Sequence, residues 1–322
     1  MEDEVTKTKL SIVIPCFNEE CCLENFFRVL KETCTKNEER FGITLEYVFV
    51  NDGSRDGTSK ILEQFARKEK NVMVCEFSRN FGKEAALSAG LELATGDYVV
   101  PIDADLQHPP ETIFKMLELM KDNREIDVVV AKRKSRENES FIYRFCTSVF
   151  YGLINKISNF EIPRDVGDFR LMKKNVVQAL VNMPEKRRFM KGLYAWVGFK
   201  SVEIEYSVAD RIEGKSKFTP LKLFSLAADG LLDFSVFPLR VWGAVGCVIA
   251  LIAFLAACYI LFSTLLFGIK TPGYASLIIS VVFFGGIQLI SIGVLGEYLG
   301  RVYNEAKGRP TYIIRRKINH ED

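Results

Sequence analysis

The sequence predicts an α/β domain built on a doubly wound, mainly parallel sheet, followed by a segment that binds and crosses a membrane. Two observations predict this architecture. Five short β-rich segments alternate with four helical patterns over residues 10–131, an order that is typical of doubly wound α/β domains. Beyond residue 240, two long apolar stretches carry no charged side chain, which is typical of transmembrane helices.

The predicted strands are apolar on both faces, as expected in a parallel sheet that helices cover on both sides. They span residues 10–15, 45–50, 71–77, 97–102 and 127–131. The helical patterns between them span residues 19–32, 56–68, 82–94 and 109–121. Ligands of such sheets bind beyond the carboxyl ends of the strands. Polar motifs follow the first, second and fourth strands, so the sequence predicts the site there.

The uncharged stretches span residues 241–269 and 271–296, and each exceeds the roughly 20 apolar residues that cross a bilayer. They predict two transmembrane helices, at about 241–266 and 274–296. Residues 219–240 show apolar side chains at helical spacing and predict a helix that lies in the membrane interface. The alternatives are buried core helices of a soluble protein for the spans and a soluble amphipathic helix for the interfacial segment.

The distribution of charges orients the predicted spans. The charged N-terminus is followed by only a short apolar run, which is unlike a signal peptide. The loop between the spans carries only Lys270, whereas six basic residues follow the second span: Arg301, Lys307, Arg309, Arg315, Arg316 and Lys317. The positive-inside rule then places the domain at 1–218, the basic tail at 297–322 and both termini in the cytoplasm. We therefore expect a multi-pass protein of the cell's inner (plasma) membrane.

Composition argues against several classes of function. Lysine and arginine total 43 against 41 acidic residues, so no net charge favours a nucleic-acid partner. The eight cysteines form no CxxC pair and the chain has two histidines, which argues against a zinc site. No GxGxxG motif follows the first strand, so a dinucleotide-binding domain is disfavoured.

Asp103 and Asp105 follow the fourth predicted strand. Two carboxylates spaced i, i+2 past a strand end can both reach one divalent cation, and Mg²⁺ or Mn²⁺ binds such oxygens together with substrate phosphates. A cation of this kind stabilises the charge that grows on a nucleoside diphosphate leaving group. The alternative is that Asp105 or a neighbour caps the helix that begins at Pro109.

Four motifs occur in order, at 12–20 (IVIPCFNEE), 50–58 (VNDGSRDGT), 78–90 (SRNFGKEAALSAG) and 103–111 (DADLQHPPE). This series resembles glycosyltransferase family 2, whose inverting enzymes have the Rossmann-like GT-A fold. It looks most like the branch that includes dolichyl-phosphate mannosyl synthases and bacterial bactoprenol glucosyltransferases. The resemblance continues through 165–172, 187–199 and 209–218 and into the apolar stretches. It implies transfer of one sugar from a nucleotide-sugar donor to a polyprenyl phosphate at the cytoplasmic membrane face.

The resemblance implies a set of donor-site residues. Asp103, Asp105 and Gln107 match the metal and diphosphate cluster of the family, which implies a Mg²⁺ or Mn²⁺ cofactor. Asp52 matches a residue that contacts the donor nucleoside, with a structural Asx-turn as the alternative. The full donor-binding set is Asp52, Lys83, Asp103, Asp105, Lys215 and Lys217.

The resemblance also implies catalytic and acceptor residues. Asp168 matches the base or the group that positions the acceptor; a structural aspartate that pairs with Arg170 is the alternative. A phosphate monoester has its second pKa near about 6, so the acceptor needs little deprotonation at neutral pH. Arg211 matches a mobile basic loop that closes on the phosphates, with a solvated charge cluster as the alternative. Arg133 and Arg144 match partners of the acceptor phosphate.

Two other functions are weaker. A processive polysaccharide synthase carries a QxxRW motif, but the residues before Trp196 and Trp242 are alanine and valine. A non-catalytic membrane scaffold would not need the full set of site residues, which is present here: Asp52, Asp103, Asp105, Gln107 and Arg211. UDP-glucose is the favoured donor, because 167–172 (GDFRLM) and the paired spans look more like the bactoprenol branch; UDP-N-acetylglucosamine and GDP-mannose stay open. The expected partners are the donor, the lipid acceptor and the bilayer, with a homo-oligomer left open.

Overall fold

A computed structural model describes residues 7–134, 166–186, 188–206 and 273–320, together with isolated positions between 245 and 266. The described residues belong to two compact units. The first contains those up to residue 206 together with residues 310–320, and the second contains those from 245 to 309. The predicted interfacial helix at 219–240 lies outside the described residues.

The first unit is an α/β domain in which strands and helices alternate along its N-terminal half. Its strands are β1 (Thr8–Cys16), β2 (Ile43–Asn51), β3 (Val72–Phe77), β4 (Tyr98–Pro101), β5 (Val128–Arg133), β6 (Val166–Lys173), β7 (Ser201–Tyr206) and β8 (Ile314–Ile318). Its described helices are α1 (Leu23–Phe41), α2 (Thr58–Lys68), α3 (Lys83–Leu93), α4 (Glu111–Asp122), α5 (Lys174–Val181) and α6 (Met190–Trp196).

The eight strands form one sheet in the order β7-β5-β6-β4-β1-β2-β3-β8. The central strand β1 pairs in parallel with β2 and β4, and the pairs β2–β3 and β5–β7 are also parallel. Strand β6 runs antiparallel between β4 and β5, and β8 runs antiparallel to β3. The predicted α/β domain is thus confirmed, but the antiparallel strands β6 and β8 make its sheet mixed.

Helices cover both faces of the sheet. Side chains of successive strand residues point to opposite faces. Ile12 and Ile14 of β1 join the hydrophobic cluster that includes α1, α2 and α4. Val13 points the other way, towards Gly90 of α3, where an added Cβ would lie 2.2 Å from Cγ1 of Val13. Because Gly90 has no side chain, α3 can pack directly on the sheet. This packing fixes the position of Lys83, the first residue of α3.

Strand β8 comes from the segment that the sequence assigned to a basic tail. Its register with β3 runs from Val74–Ile318 to Phe77–Ile314, and Ile318 is buried in the hydrophobic cluster. Arg316 donates from Nε to Oε2 of Glu76 at 2.8 Å. A search for apolar segments does not find this strand, because three of its five residues are charged. Charged side chains are common on the edge strands of sheets. Part of the predicted tail is therefore an edge strand of the α/β domain.

The contribution of β8 to stability can be tested at Ile318. We expect Ile318→Ala to lower the free energy of unfolding by about 2–5 kcal/mol, because a buried side chain is removed. The matched control is Ile313→Ala, just before β8, whose side chain is 53% exposed compared with 7% for Ile318. Thermal unfolding of the purified protein in detergent measures both variants. Equal melting temperatures for the two would contradict the placement of β8 in the core.

The described part of the second unit includes one long helix, α7 (Tyr274–Ala306). Among the described residues, α7 holds the one segment that is long and apolar enough to cross a membrane, Phe283–Ala306, with a mean hydropathy of 1.3. The described positions between 245 and 266 are all helical, and most of their large apolar side chains are exposed. The predicted second span thus falls on a helix, which extends ten residues beyond the predicted end at 296.

Candidate active site

The polar motifs meet at one edge of the sheet. Because β1, β2 and β4 are parallel, the segments that follow them leave from the same edge. Strand β6 is antiparallel to β4, so its first residues lie at that edge too. Helix α3 begins there, since it follows the carboxyl end of β3. Residues from five elements therefore meet at the edge where the sequence predicts the site.

Three charged side chains form one ion cluster at this edge: Lys83, Asp103 and Asp168. Nζ of Lys83 lies 2.7 Å from Oδ1 of Asp103 and 3.2 Å from Oδ2 of Asp168. Burial by itself would lower the pKa of Lys83, but the two carboxylates raise it above its ordinary value. The ammonium group therefore stays charged and holds together two carboxylates that are 65 positions apart in the sequence.

The loop after β4 has a strained backbone. Leu106, between Asp105 and Gln107, adopts φ 58°, and the left-handed region costs a non-glycine residue about 1–2 kcal/mol. The turn is held by the backbone N–H of Gln107, which donates to Oδ1 of Asp105 at 3.0 Å. The structure therefore shows a backbone contact for Gln107, and the metal contact of its side chain stays a prediction. Strain of this kind is common at ligand-binding sites.

The residues at this edge suit a divalent cation that is shared with a substrate. Among the described residues, no group of three or more His, Cys, Asp or Glu side chains could by itself hold a metal ion. Mg²⁺, however, is usually bound by one or two protein carboxylates together with substrate phosphates and water. Asp103 and Asp105 supply two such carboxylates. In this structure the ammonium group of Lys83 is the positive charge that lies beside Asp103.

Asp168 has one carboxylate oxygen in contact and one that faces no described partner. Oδ2 pairs with Lys83, whereas Oδ1 is buried without a hydrogen bond from any described residue. Arg170 donates from Nη2 to the carbonyl of Gly167 at 2.7 Å, and its guanidinium lies 3.6 Å from the ring centre of Tyr194. The ion pair shown for Asp168 is thus with Lys83 and not with Arg170.

Asp52 is nearly fully buried and holds the loop between β3 and α3. Its Oδ1 accepts a hydrogen bond from the N–H of Phe81 at 2.6 Å, and its Oδ2 accepts from the N–H of Gly82 at 2.9 Å. The side-chain amide of Asn80 also donates to Oδ2, at 2.9 Å. Burial raises the pKa of Asp52, although the two backbone N–H groups act against the rise. The structure shows this positioning role, and the contact with the donor nucleoside stays a prediction.

A cavity of about 430 Å³ opens beside this loop, at the carboxyl ends of β1, β2 and β3. Gly53 brings two of its walls together, because it has φ 64° and an added Cβ would lie 2.3 Å from the carbonyl carbon of Arg79. The described lining residues are Phe17, Asn18, Gly53, Ser54, Arg55, Glu76, Phe77, Ser78, Arg79, Asn80 and Arg315. The cavity is large enough for part of a nucleotide, within the usual size range of ligand sites.

The remaining predicted residues are not all described. Arg133 ends β5 and is exposed, and the preceding residue Lys132 pairs with Val166 at the start of β6. Asp168 is two residues after Val166 on β6. Arg133 therefore lies at the same sheet edge as Asp168. The other predicted basic residues lie outside the described residues: Arg144, Arg211, Lys215 and Lys217. Their roles stay predictions.

Glu84, which the sequence did not single out, follows Lys83 in the first turn of α3. Its Oε2 accepts a hydrogen bond from the N–H of Met190 at 3.3 Å. Burial, and then repulsion from Asp168, raise the pKa of Glu84 from 4.5 to about 7. Glu84 is therefore partly protonated near neutral pH. Glu84 lies within the motif at 78–90, but the local sequence does not show its raised pKa, which comes from burial and from the nearby Asp168.

The raised pKa of Glu84 predicts a pH-dependent stability. Deprotonation costs more in the folded than in the unfolded chain, so this residue lowers stability progressively as pH rises from about 4.5 to about 7. We expect Glu84→Gln to unfold at the same temperature as the wild type at pH 4, and to be more stable by about 3 kcal/mol at pH 8. Thermal unfolding with chelator tests this. The exposed Glu39→Gln is the control, and a gain independent of pH would contradict the prediction.

Comparison with known proteins identifies the family. The family profile described as Glycosyl transferase family 2 matches residues 11–181. The prophage bactoprenol glucosyl transferase homolog of Escherichia coli K12 is 47% identical over 308 residues, which cover 96% of this chain and 99% of that protein. The bactoprenol glucosyl transferase of Shigella phage SfII is 46% identical over 308 residues, which cover 96% of this chain and 98% of that protein.

Solved structures show a more distant likeness. Glucosyl-3-phosphoglycerate synthase from Mycobacterium tuberculosis, in complex with Mn²⁺, UDP and phosphoglyceric acid, is 16% identical with a TM-score of 0.47, covering 70% of this chain and 76% of that chain. The family profile covers more than half of the chain, and the relatives are similar over nearly all of it. The resemblance noted in the sequence is thus confirmed. The chain belongs to glycosyl transferase family 2 and is a glycosyltransferase.

Proposed function

We propose that the protein transfers a single glucose, with inversion at the anomeric carbon, from UDP-glucose to a polyprenyl phosphate such as undecaprenyl phosphate. The observation that carries this proposal is the similarity to bactoprenol glucosyl transferases over 96% of the chain. That similarity includes both the α/β domain and α7. Bactoprenol is a polyprenyl lipid, so the proposed acceptor is dissolved in a membrane, where an apolar helix such as α7 would anchor the enzyme.

The proposed donor site combines the acidic residues with the cavity. Asp103 and Asp105 would hold Mg²⁺ or Mn²⁺ together with the donor diphosphate, with Gln107 as a further proposed ligand. Bound there, the cation would stabilise the negative charge that develops on the leaving diphosphate. Lys83 contacts Asp103, so its ammonium is placed to contribute positive charge at the same position. The nucleoside would bind in the cavity beside the loop that Asp52 holds.

The proposed acceptor site lies around Asp168. Its buried Oδ1 faces no described donor, so it can accept from an incoming group or orient one. The second pKa of a phosphate monoester is near about 6, so Asp168 would mainly position an acceptor that is already deprotonated. Arg133, at the same sheet edge, is a proposed partner of the acceptor phosphate. Arg144 shares that proposed role, and Arg211 with Lys215 and Lys217 would close on the donor phosphates.

A donor screen tests this function. The purified full-length protein would be placed in bilayers that contain undecaprenyl phosphate and Mg²⁺ or Mn²⁺, and lipid-linked sugar would be measured. We expect transfer from UDP-glucose, with little from UDP-N-acetylglucosamine or GDP-mannose. If only one of the other donors gives a product, the proposed donor sugar is wrong, but the proposed class of reaction still holds. A product that carries many sugars per lipid would instead indicate a processive synthase.

We also propose that the chain crosses the membrane twice. Strand β8 is hydrogen-bonded to β3, so residues 310–320 lie on the same side of a membrane as the rest of the α/β domain. A chain that leaves this domain after residue 206 and returns at 310 must cross a bilayer an even number of times. If α7 crosses once, a second crossing must lie between 207 and 273. The predicted span at 241–266 falls in that interval.

We propose the following division of the chain. The α/β domain, formed by 1–218 together with β8, and both termini are cytoplasmic; the interfacial helix spans 219–240, and the spans lie at about 241–266 and 274–296 in the inner (plasma) membrane. Reporter fusions test the topology. A reporter inserted after Thr271 should be active outside the cytoplasm, and one fused after residue 322 should be active inside. An external C-terminus would contradict the proposed topology, because β8 could not then reach β3 of the same chain.

A further inference from the structure

Arg315 of β8 is placed on the wall of the cavity proposed for the donor nucleoside. Every other described residue of that wall belongs to the N-terminal part of the domain, between residues 17 and 80. Arg315 is instead supplied by the strand that follows α7. The cavity is thus completed by a part of the chain that the sequence motifs do not include.

Two neighbouring arginines of β8 have different surroundings. Arg316 donates from Nε to Oε2 of Glu76 at 2.8 Å, and Ser59 donates to the same oxygen at 2.9 Å. Arg315 approaches the other oxygen of Glu76 only at 3.7 Å, and its side chain is 68% exposed. The buried carboxylate is therefore satisfied mainly by Arg316. The guanidinium of Arg315 keeps most of its hydrogen-bond donors available to a ligand in the cavity.

The strand order indicates which part of a nucleotide reaches Arg315. The order β4-β1-β2-β3-β8 puts four inter-strand steps between the acidic loop after β4 and Arg315 on β8. Neighbouring strands are about 4.8 Å apart, so the two ends of this edge are separated by about 19 Å. If the diphosphate lies at Asp103 and Asp105, Arg315 is at the far end, where the base lies. A guanidinium can donate to the carbonyl oxygens of a base or stack on its face.

We propose that Arg315 binds the nucleobase of the sugar-nucleotide donor and sets donor affinity. This proposal rests on the proposed function for the location of the diphosphate. It makes the strand that follows α7 a part of the donor site, in addition to its role at the sheet edge. A catalytic domain cut off before α7 would lack both β8 and this base contact.

Nucleotide binding to the purified full-length protein tests the proposal. Isothermal titration calorimetry with UDP and Mn²⁺ should show about 5- to 20-fold weaker binding for Arg315→Gln, as expected for loss of hydrogen bonds from a charged group. UMP binding should weaken by the same factor, because the affected contact is at the base. In transfer assays the KM for the donor should rise while kcat stays near the wild-type value.

The matched control is Arg316→Gln, which removes the same charge from the adjacent position. It should lower the melting temperature, because Glu76 loses its closest cationic partner, while UDP affinity changes less than about twofold. Wild-type affinity in Arg315→Gln would overturn the proposal, and so would a loss of UDP affinity with UMP affinity unchanged. A melting temperature that falls as far in Arg315→Gln as in Arg316→Gln would also overturn it. Failure of the wild type to bind UDP would instead count against the proposed donor.

Discussion

Replacing Asp103 or Asp105 with Asn is expected to reduce the rate of sugar transfer about 100- to 1,000-fold, with the protein still folded and membrane-bound. Asn has the shape of Asp but not its charge, so it binds a divalent cation much more weakly. In the proposed site the two carboxylates would together hold the cation that offsets the charge of the leaving diphosphate, so removal of either should lower kcat more than it raises the KM for the donor. Initial rates with undecaprenyl phosphate in bilayers measure this loss.

The structure provides a control at the opposite end of β4. Asp97 immediately precedes β4, at the end opposite the site, and accepts a hydrogen bond from the N–H of Lys9 at 2.9 Å. Asp97→Asn should keep near wild-type activity. Treatment with EDTA should reproduce the loss in the wild type, and added Mn²⁺ should restore the wild type but not Asp103→Asn. Full activity of the wild type in metal-free buffer would remove the metal role from both aspartates.

The parts of the fold that could be predicted are those in which burial makes the sequence apolar. Residues 45–50 were predicted as a strand, and β2 spans Ile43–Asn51. Strand β6 could not be predicted in this way, because it contains Asp168 and Arg170. Arg170 is buried there because Tyr194 stacks on it, and such a partner cannot be identified from the local sequence. Strand β8 is charged on its exposed edge, so its sequence resembles a tail.

The same distinction holds for the site. The position of Asp103 and Asp105 just after a strand could be predicted, because their spacing and the apolar run before them are local properties. The contact of Lys83 with both Asp103 and Asp168 depends on the close packing of α3, which Gly90 allows. The position of Arg315 depends on the return of the chain after α7. Contacts between residues far apart in the sequence require the folded structure.

Replacing Asp168 with Asn is expected to lower kcat about 100-fold or more, with little change in the KM for the donor. The reason is its buried Oδ1, which faces no donor among the described residues, next to an Oδ2 held 3.2 Å from Lys83. With its single oxygen facing Lys83, Asn would place its NH₂ group where Asp168 has Oδ1, and this group donates instead of accepting. A substrate oriented by Oδ1 would then be misplaced. Donor affinity, measured by calorimetry with UDP-glucose and Mn²⁺, should stay close to that of the wild type.

The pH dependence of this loss distinguishes the two roles of Asp168. The acceptor phosphate becomes a monoanion below about pH 6, so a true base should matter most in that range. If Asp168 removes a proton, the ratio of wild-type to Asp168→Asn rates should rise steeply below pH 6. If it positions the acceptor, the ratio should stay constant between pH 5 and 9, and the KM for undecaprenyl phosphate should rise. We expect the constant ratio, because the dianionic phosphate needs no base at neutral pH. Wild-type kcat in Asp168→Asn would exclude both roles and leave Asp168 as a structural partner of Lys83.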